Sequence, residues 1–290
     1  MLLKHNILNS IWMMEYSHAI NYLPLVAAFL KGESPRNSVP NTDSLNVNSG
    51  VQFATMQSGL FHVSDYGRWN SPEEAPENSI AVISISGAIT KHDQYCGPAG
   101  MATKANILAR CDASSNIKGV VLKQETGGGE GGAMRLFHEA VSKFSKPIIG
   151  FVDDTSCSAG MGNLAACDMI VANSKLARVG SIGTYLTIAD FSKQFEKMGI
   201  NLIEVYADAS KDKNSEYYEA LKGNTEPLKQ IVNVYNDAFL ELIETSRDGK
   251  LTADRKEWGT GKVYFAHEAQ KLGLIDGIDS FDNVLNYFNT

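Results

Sequence analysis

At 290 residues, 43% of them hydrophobic and 20% charged, the chain has apolar content for one large core or two smaller ones, which excludes a wholly disordered polymer. Its formal net charge of −7 supplies no overall basic field, so a surface for nucleic acid or anionic lipid is not expected. Cys96, Cys111, Cys157 and Cys167 form neither a CxxC pair nor a metal-ligand spacing; a reduced, cytoplasmic setting fits them better than a disulfide scaffold, and Cys111 and Cys167 read as small buried hydrophobes.

Residues 10–31 read as an amphipathic helical arm broken near Pro24. Lys4, His5, Glu15 and His18 interrupt the apolar N-terminus, and the uncharged run from Ile20 to Leu30 is too short to span a bilayer. No small-residue cleavage site follows a clean apolar core, so neither a signal peptide nor a transmembrane anchor is expected. Ser, Asn, Pro and Gly dominate from Gly32 to Gly50, a linker composition, and residues 51–78 show no clear pattern. The chain therefore divides into an arm (1–31), a linker and irregular segment (32–78) and a folded domain (79–290).

From Ile80 the pattern is regular. IAVISISGAI is a buried strand, and Ile107, Leu108 and Cys111 give Met101 to Cys111 helical spacing. Ile117 to Leu122 is a second strand, followed by Glu125, Thr126, the run GGGEGGAM and a helix to about Phe144. Lys146 and Pro147 open a third strand, IIGFV, and Ser158 starts the next helix. DMIVAN and Ala177 to Gly180 are short extended pieces, Asp190 to Met198 a helix, and NLIEVYA a strand. Thr225 caps a long helix with Leu228, Ile231, Tyr235, Phe239 and Leu242 on one face. A short helix after Thr252, a strand at Lys262–Phe265, a helix from His267 to Leu272 closed by Gly273, and an amphipathic turn at Asp282–Phe288 complete the chain. Strands alternating with helices at this spacing imply an α/β fold with largely parallel strands.

Two turns at carboxyl ends of strands are where chemistry is expected in such a fold. In the first, Gly127, Gly128 and Gly129 allow close backbone approach to a ligand, and their N–H groups can hold an oxyanion, a contribution of about 3–4 kcal/mol per donor. A tight turn without a ligand is the plainer reading of that loop alone; neither GxxxxGK[ST] nor GxGxxG is present. The second turn carries Ser158 with the N–H of Ala159 beside it, and a simple helix cap is the plainer reading there. No GxSxG elbow exists, because Ser156 stands where its first glycine would be. A nucleophilic serine needs a base. None of the six histidines is convincing: His5 and His18 lie in the arm, His62 in the irregular segment, His92 after the first strand, His138 and His267 within helices. A lysine whose ammonium is desolvated can serve instead, and Lys211 in ADASKDKNS is the candidate, against the alternative of a solvated loop lysine.

The set ETGGG, CSAGMGNLAACD, GSIG, GINLIEVYADASKD and GKVYFAHEAQKLGLID, in that order across residues 79–280, resembles the serine–lysine peptidases related to signal peptide peptidase A, and most of all their phage branch, the lambda-type capsid maturation proteases. The resemblance implies a ClpP/crotonase-type fold with repeated ββα-like units and hydrolysis of peptide or protein substrates without metal or cofactor. It implies Ser158 as nucleophile, Lys211 as general base, Ser181 as the hydroxyl that orients the lysine, and Gly128, Gly129 and Ala159 as oxyanion donors. Gly127 stands where that family usually has proline, from which a more mobile turn is expected. The resemblance further implies a homo-oligomeric ring, with serine and lysine in some relatives drawn from adjacent subunits, and the helix from Glu226 to Glu244 as an interface. Phage capsid or scaffold proteins are implied as partners. A bacterial signal-peptide or protein-quality-control peptidase of the same family, a crotonase-type acyl-CoA enzyme and a non-catalytic assembly protein are the competing readings.

Overall fold

The computed structural model describes residues 12–14, 50–94, 97–188, 190, 192–201 and 203–289. The remainder of the expected helical arm, the linker to residue 49 and Cys96 lie outside the described residues. The three described residues of the arm form a strand, β1 (Trp12–Met14), where the sequence suggested a helix.

Residues 51–78, patternless in sequence, open with a hairpin of β2 (Val51–Gln57) and β3 (Leu60–Val63). Its two turn residues, Ser58 and Gly59, both have positive φ, +52° and +86°, the twist that a two-residue hairpin requires. β2 runs antiparallel to β4 (Ser79–Ser86), so the hairpin extends the main sheet instead of linking to it. After α1 (Met101–Ala113) come β5 (Ile117–Thr126), the short β6 (Gly128–Glu130) and α2 (Gly131–Ser142), a ββα unit. β7 (Ile148–Cys157) leads directly into α3 (Ala159–Leu164). β8 (Met169–Ala172), β9 (Arg178–Gly180) and α4 (Ser192–Lys197) follow. The C-terminal third holds α5 (Ser215–Leu221), α6 (Glu226–Ser246), α7 (Arg255–Trp258), β10 (Val263–Phe265), α8 (Ala266–Lys271), β11 (Gly277–Ile278) and α9 (Phe281–Asn286).

The sheet order is β10-β9-β7-β5-β4-β2-β3, with β8 also on β7 and β11 on β8. β4, β5 and β7 are parallel and covered on both faces, which explains their nearly unbroken apolar sequences. One face packs Ile83, Leu122, Phe137, Leu164, Phe239 and Trp258; the other packs Val82, Val121, Phe151, Val284, Leu285 and Phe288. On that second face a Cβ at Gly119 would come within 2.3 Å of the Phe288 ring, so glycine is what lets the C-terminal segment seat against β5.

The strand that positions everything else is β7. Ile149–Val152 pair with β8, whereas Thr155–Cys157 leave β8 and pair with β9. The sheet therefore forks at Asp153 and Asp154, and Ser158 sits at the tip of one branch. The described residues of NLIEVYA, expected as a strand, form none: Ile203 and Val205 are 87% and 91% exposed. The apolar face expected for α6 is buried only in its C-terminal third, at Phe239, Leu240 and Ile243, while Ile231, Val234 and Tyr235 are exposed. Thr225 does occupy the N-cap of α6, but its side chain makes no capping bond.

Candidate active site

Ser158 ends β7 and precedes α3 with φ +54° and ψ −120°. That backbone is costly for a residue with a side chain, by about 1–3 kcal/mol, and such strain gathers at working sites. The surroundings hold it there. The Ser158 N–H donates to the Gly180 carbonyl (2.7 Å) and its own carbonyl accepts from Met161 N–H (2.8 Å). Its hydroxyl donates to the Gly183 carbonyl at 3.4 Å, and the residue is buried. A serine in an ordinary N-cap would accept from a backbone N–H of its helix; this one does not.

Ser181 is brought alongside. Cys157 and Gly180 are register partners across β7 and β9, so Ser158 and Ser181 directly follow the ends of two adjacent strands. Ser181 shares the unusual backbone, with φ +51°, and its N–H donates to the Lys262 carbonyl (2.7 Å).

The glycine turn lies next to this pair. A Cβ at Gly160 would meet the Thr126 methyl at 2.7 Å, so α3 packs directly on the end of β5. Gln124 braces the same junction, its Nε2 donating to Ser156 Oγ (2.6 Å) and to the Gly160 carbonyl (2.9 Å). The turn itself is pinned by Thr126, whose hydroxyl donates to the Gly87 carbonyl (2.5 Å) and accepts the Gly128 N–H (3.0 Å). That hydroxyl does the anchoring expected to be lost with proline at Gly127. It also means that, of the three expected oxyanion donors, the Gly128 N–H is already engaged. Ala159 begins α3, so its N–H has no helical partner. Gln124 and the anchoring role of Thr126 were missed in the sequence; polar residues ending an otherwise apolar buried strand, VVLKQET, were the available signal.

The Ser158 hydroxyl is bonded to the Gly183 carbonyl and not to Lys211. Lys211 follows a single 3-10 turn, Asp208–Ser210, and is exposed. The histidines offer no base either. His138 is structural: Nδ1 lies 2.8 Å from the Gly162 carbonyl and Nε2 3.2 Å from Ser246 Oγ, and burial, only partly opposed by the Gly162 bond, lowers its pKa. His62 and His92 are exposed, His267 faces the Lys175 carbonyl, and His5 and His18 lie outside the described residues. Cys111, Cys157 and Cys167 are all buried, and burial pushes the Cys111 thiol up to about 12 and raises that of Cys167, which makes both inert. Among the described residues no three His, Cys, Asp or Glu side chains are grouped to hold a metal ion, and no helix is long and apolar enough to cross a membrane.

Residues 140–290 match the sequence model of Peptidase family S49. "Protease 4" of Haemophilus influenzae is 27% identical over 217 residues, which cover 72% of this chain and 34% of that protein. "Capsid assembly protease C" of Escherichia phage lambda is 24% identical over 234 residues, 77% of this chain and 52% of that protein. The chain thus spans between about a third and about a half of the length of these two relatives. Among solved structures, a membrane-bound stomatin-specific protease is similar with a TM-score of 0.47 and 15% identity, over 74% of this chain and 85% of that one.

Proposed function

The chain belongs to Peptidase family S49, and on that premise we propose that it is a serine endopeptidase with Ser158 as nucleophile and Lys211 as general base. The observation that carries the reading is the backbone of Ser158: a strained turn at the carboxyl end of a buried strand, with the N–H of Ala159 adjacent. Neutral Lys211 removes the hydroxyl proton as Ser158 Oγ attacks a peptide carbonyl. The resulting oxyanion is held by N–H groups of Ala159 and Gly129. Collapse of the tetrahedral intermediate expels the amine, which takes the proton from Lys211, and leaves an acyl-serine. Water then attacks the ester with the same lysine as base, and the acid product departs.

Ser181 is the group that orients the lysine in this reading. In this reading Lys211 reaches the serine of a neighbouring copy, because it is exposed and the stretch before it carries Met198, Ile203 and Val205 at the surface. Packing that surface against a second copy withdraws the lysine from water, the condition under which its amine gives up charge. The substrates we propose are phage capsid or scaffold proteins, in the host cytoplasm or the procapsid, supported by relatives called "Capsid assembly protease C" and "Head-tail preconnector protein GP5".

A mass-spectrometric digest of an unfolded protein mixture tests the chemistry. Wild type is expected to create new peptide termini, and Ser158→Ala to lose the activity by on the order of 10⁴-fold or more. Equal cleavage by both chains would reject the assignment.

A further inference from the structure

β1 forms a two-stranded sheet with β6 alone, apart from the main sheet. Its partners are the residues of the glycine turn: Trp12 faces Glu130, Met13 faces Gly129, and Met14 faces Gly128, in antiparallel register. β6 has two edges. On one, the Gly128 carbonyl accepts the Ile89 N–H and the Glu130 N–H donates to the Ile89 carbonyl, both at 2.9 Å. A Cβ on Gly129 would stand 2.1 Å from that Ile89 carbonyl oxygen, so this side of the strand is closed.

Along a strand, backbone groups of successive residues turn to opposite edges. Gly128 and Glu130 are committed to Ile89, so both the N–H and the carbonyl of Gly129 face the other edge, where β1 lies. Met13 and Gly129 are therefore the hydrogen-bonded pair of this ladder, and the Gly129 N–H is aimed at the Met13 carbonyl. β1 also runs, in the N-to-C direction, toward Gly128 and the turn beside Ser158. A segment of the chain thus lies where an extended peptide would have to lie to reach an oxyanion donor of the proposed site.

We infer that the outer edge of β6 is a docking strand for an extended peptide, added antiparallel through Gly129, and that Trp12–Met14 is its resting occupant, which an incoming peptide displaces. This deepens the peptidase reading of the same site and rests on it for the class of ligand. Main-chain pairing supplies the attraction, as in other cases of strand addition to an open sheet edge.

The register makes the test position-specific. The Met13 N–H is needed by Gly129, whereas the N–H groups of Trp12 and Met14 point away from β6. Proline at 13 removes the essential donor; proline at 14 removes one that β6 does not use. In full-length Ser158→Ala chains, binding of a fluorescein-labelled peptide with the sequence of residues 8–17 is followed by anisotropy. The Met13→Pro chain is expected to bind it at least tenfold more tightly than the chain with Met13 intact, and the Met14→Pro chain to bind it as that parent does. Equal affinity in all three, an equal gain from Met14→Pro, or binding to none would overturn the inference. Casein cleavage by the chain with Ser158 intact is recorded in parallel. If no cleavage occurs while the order of affinities holds, the docking strand stands and only the peptidase reading falls.

Discussion

Ser158 and Lys104 show opposite ways in which single residues draw on the stability of the fold. Ser158 adopts φ +54°, a conformation that glycine enters without penalty. Ser158→Gly is expected to raise unfolding free energy by about 1 kcal/mol, the relieved strain less the added chain entropy, while abolishing cleavage; urea titration of both chains checks it. Lys104 is fully buried on α1, with Nζ donating to the Ser84 carbonyl at 2.6 Å. Burial, opposed only by the charge of Asp93, pulls its pKa down to about 8. Below pH 8 both native and unfolded chains carry this proton, and the buried charge costs the native state about 3 kcal/mol relative to a neutral amine. Between pH 8 and the ordinary lysine value the unfolded chain holds the proton and the native chain does not, so stability gains with rising pH. The gain should be present in the parent and absent from Lys104→Met when urea midpoints are compared at pH 7.5 and 10. Neither effect is legible in sequence: Ser158 can be nominated from its neighbours, but its φ comes from the Gly180 and Met161 hydrogen bonds, and Lys104 looks like any other helix lysine.

At the scale of elements, α6 is anchored at one end and bare at the other. Arg247, at its C-cap, is buried and forms a bidentate pair with Asp276, 2.9 Å and 3.0 Å, while also donating to the Gly273 carbonyl. Asp276 accepts the Ile170 N–H as well (2.7 Å), which joins the helix to β8. Burial works to raise the Asp276 carboxyl, but the Arg247 and Ile170 hydrogen bonds and the charges of Arg247 and Lys250 outweigh it and hold the group below its ordinary value. Because that native value is depressed, the stability Asp276 lends is present at neutral pH and lost as pH falls through it. Arg247→Met should cost about 3 kcal/mol at pH 7, with the acid-dependent part of that loss missing from the variant. The periodic core face of α6 was readable from sequence over its whole length, yet only Phe239, Leu240 and Ile243 are buried in one chain. NLIEVYA failed in the same way. A periodic apolar pattern records that a surface is covered, not by what, and here 198–235 finds too little of its own chain to pack against. The hairpin at 51–63 was missed for another reason: Ser58-Gly59 is a turn signal, but the flanking residues alternate too weakly to mark strands without β4 beside them.

For the molecule as a whole, the proposed reaction turns on whether Ser158 and Lys211 come from one chain or from two. Sequence motifs nominated both residues and gave the parallel α/β frame, the latter because strands buried on both faces and glycine turns leave strong local traces. They carry no trace of chain-to-chain distance. If the lysine comes from a neighbouring copy, equimolar mixing of Ser158→Ala and Lys211→Ala chains, unfolded and refolded together, should restore a measurable fraction of wild-type cleavage, up to about one quarter for random pairing. No recovery from mixed oligomers would place both residues in one chain. The fork in β7 carries a consequence for the order in which this molecule comes into being. The branch that holds Ser158 rests on β9, and β9 is completed by β10, whose Val263 pairs with Gly180 from more than eighty positions further on. Ser181 likewise waits for the Lys262 carbonyl. Loop closure of that length comes late. A chain still emerging from the ribosome, stopped before Lys262, lacks the support for the Ser158 turn, so the proposed nucleophile gains its geometry only once residues 262–265 have been made.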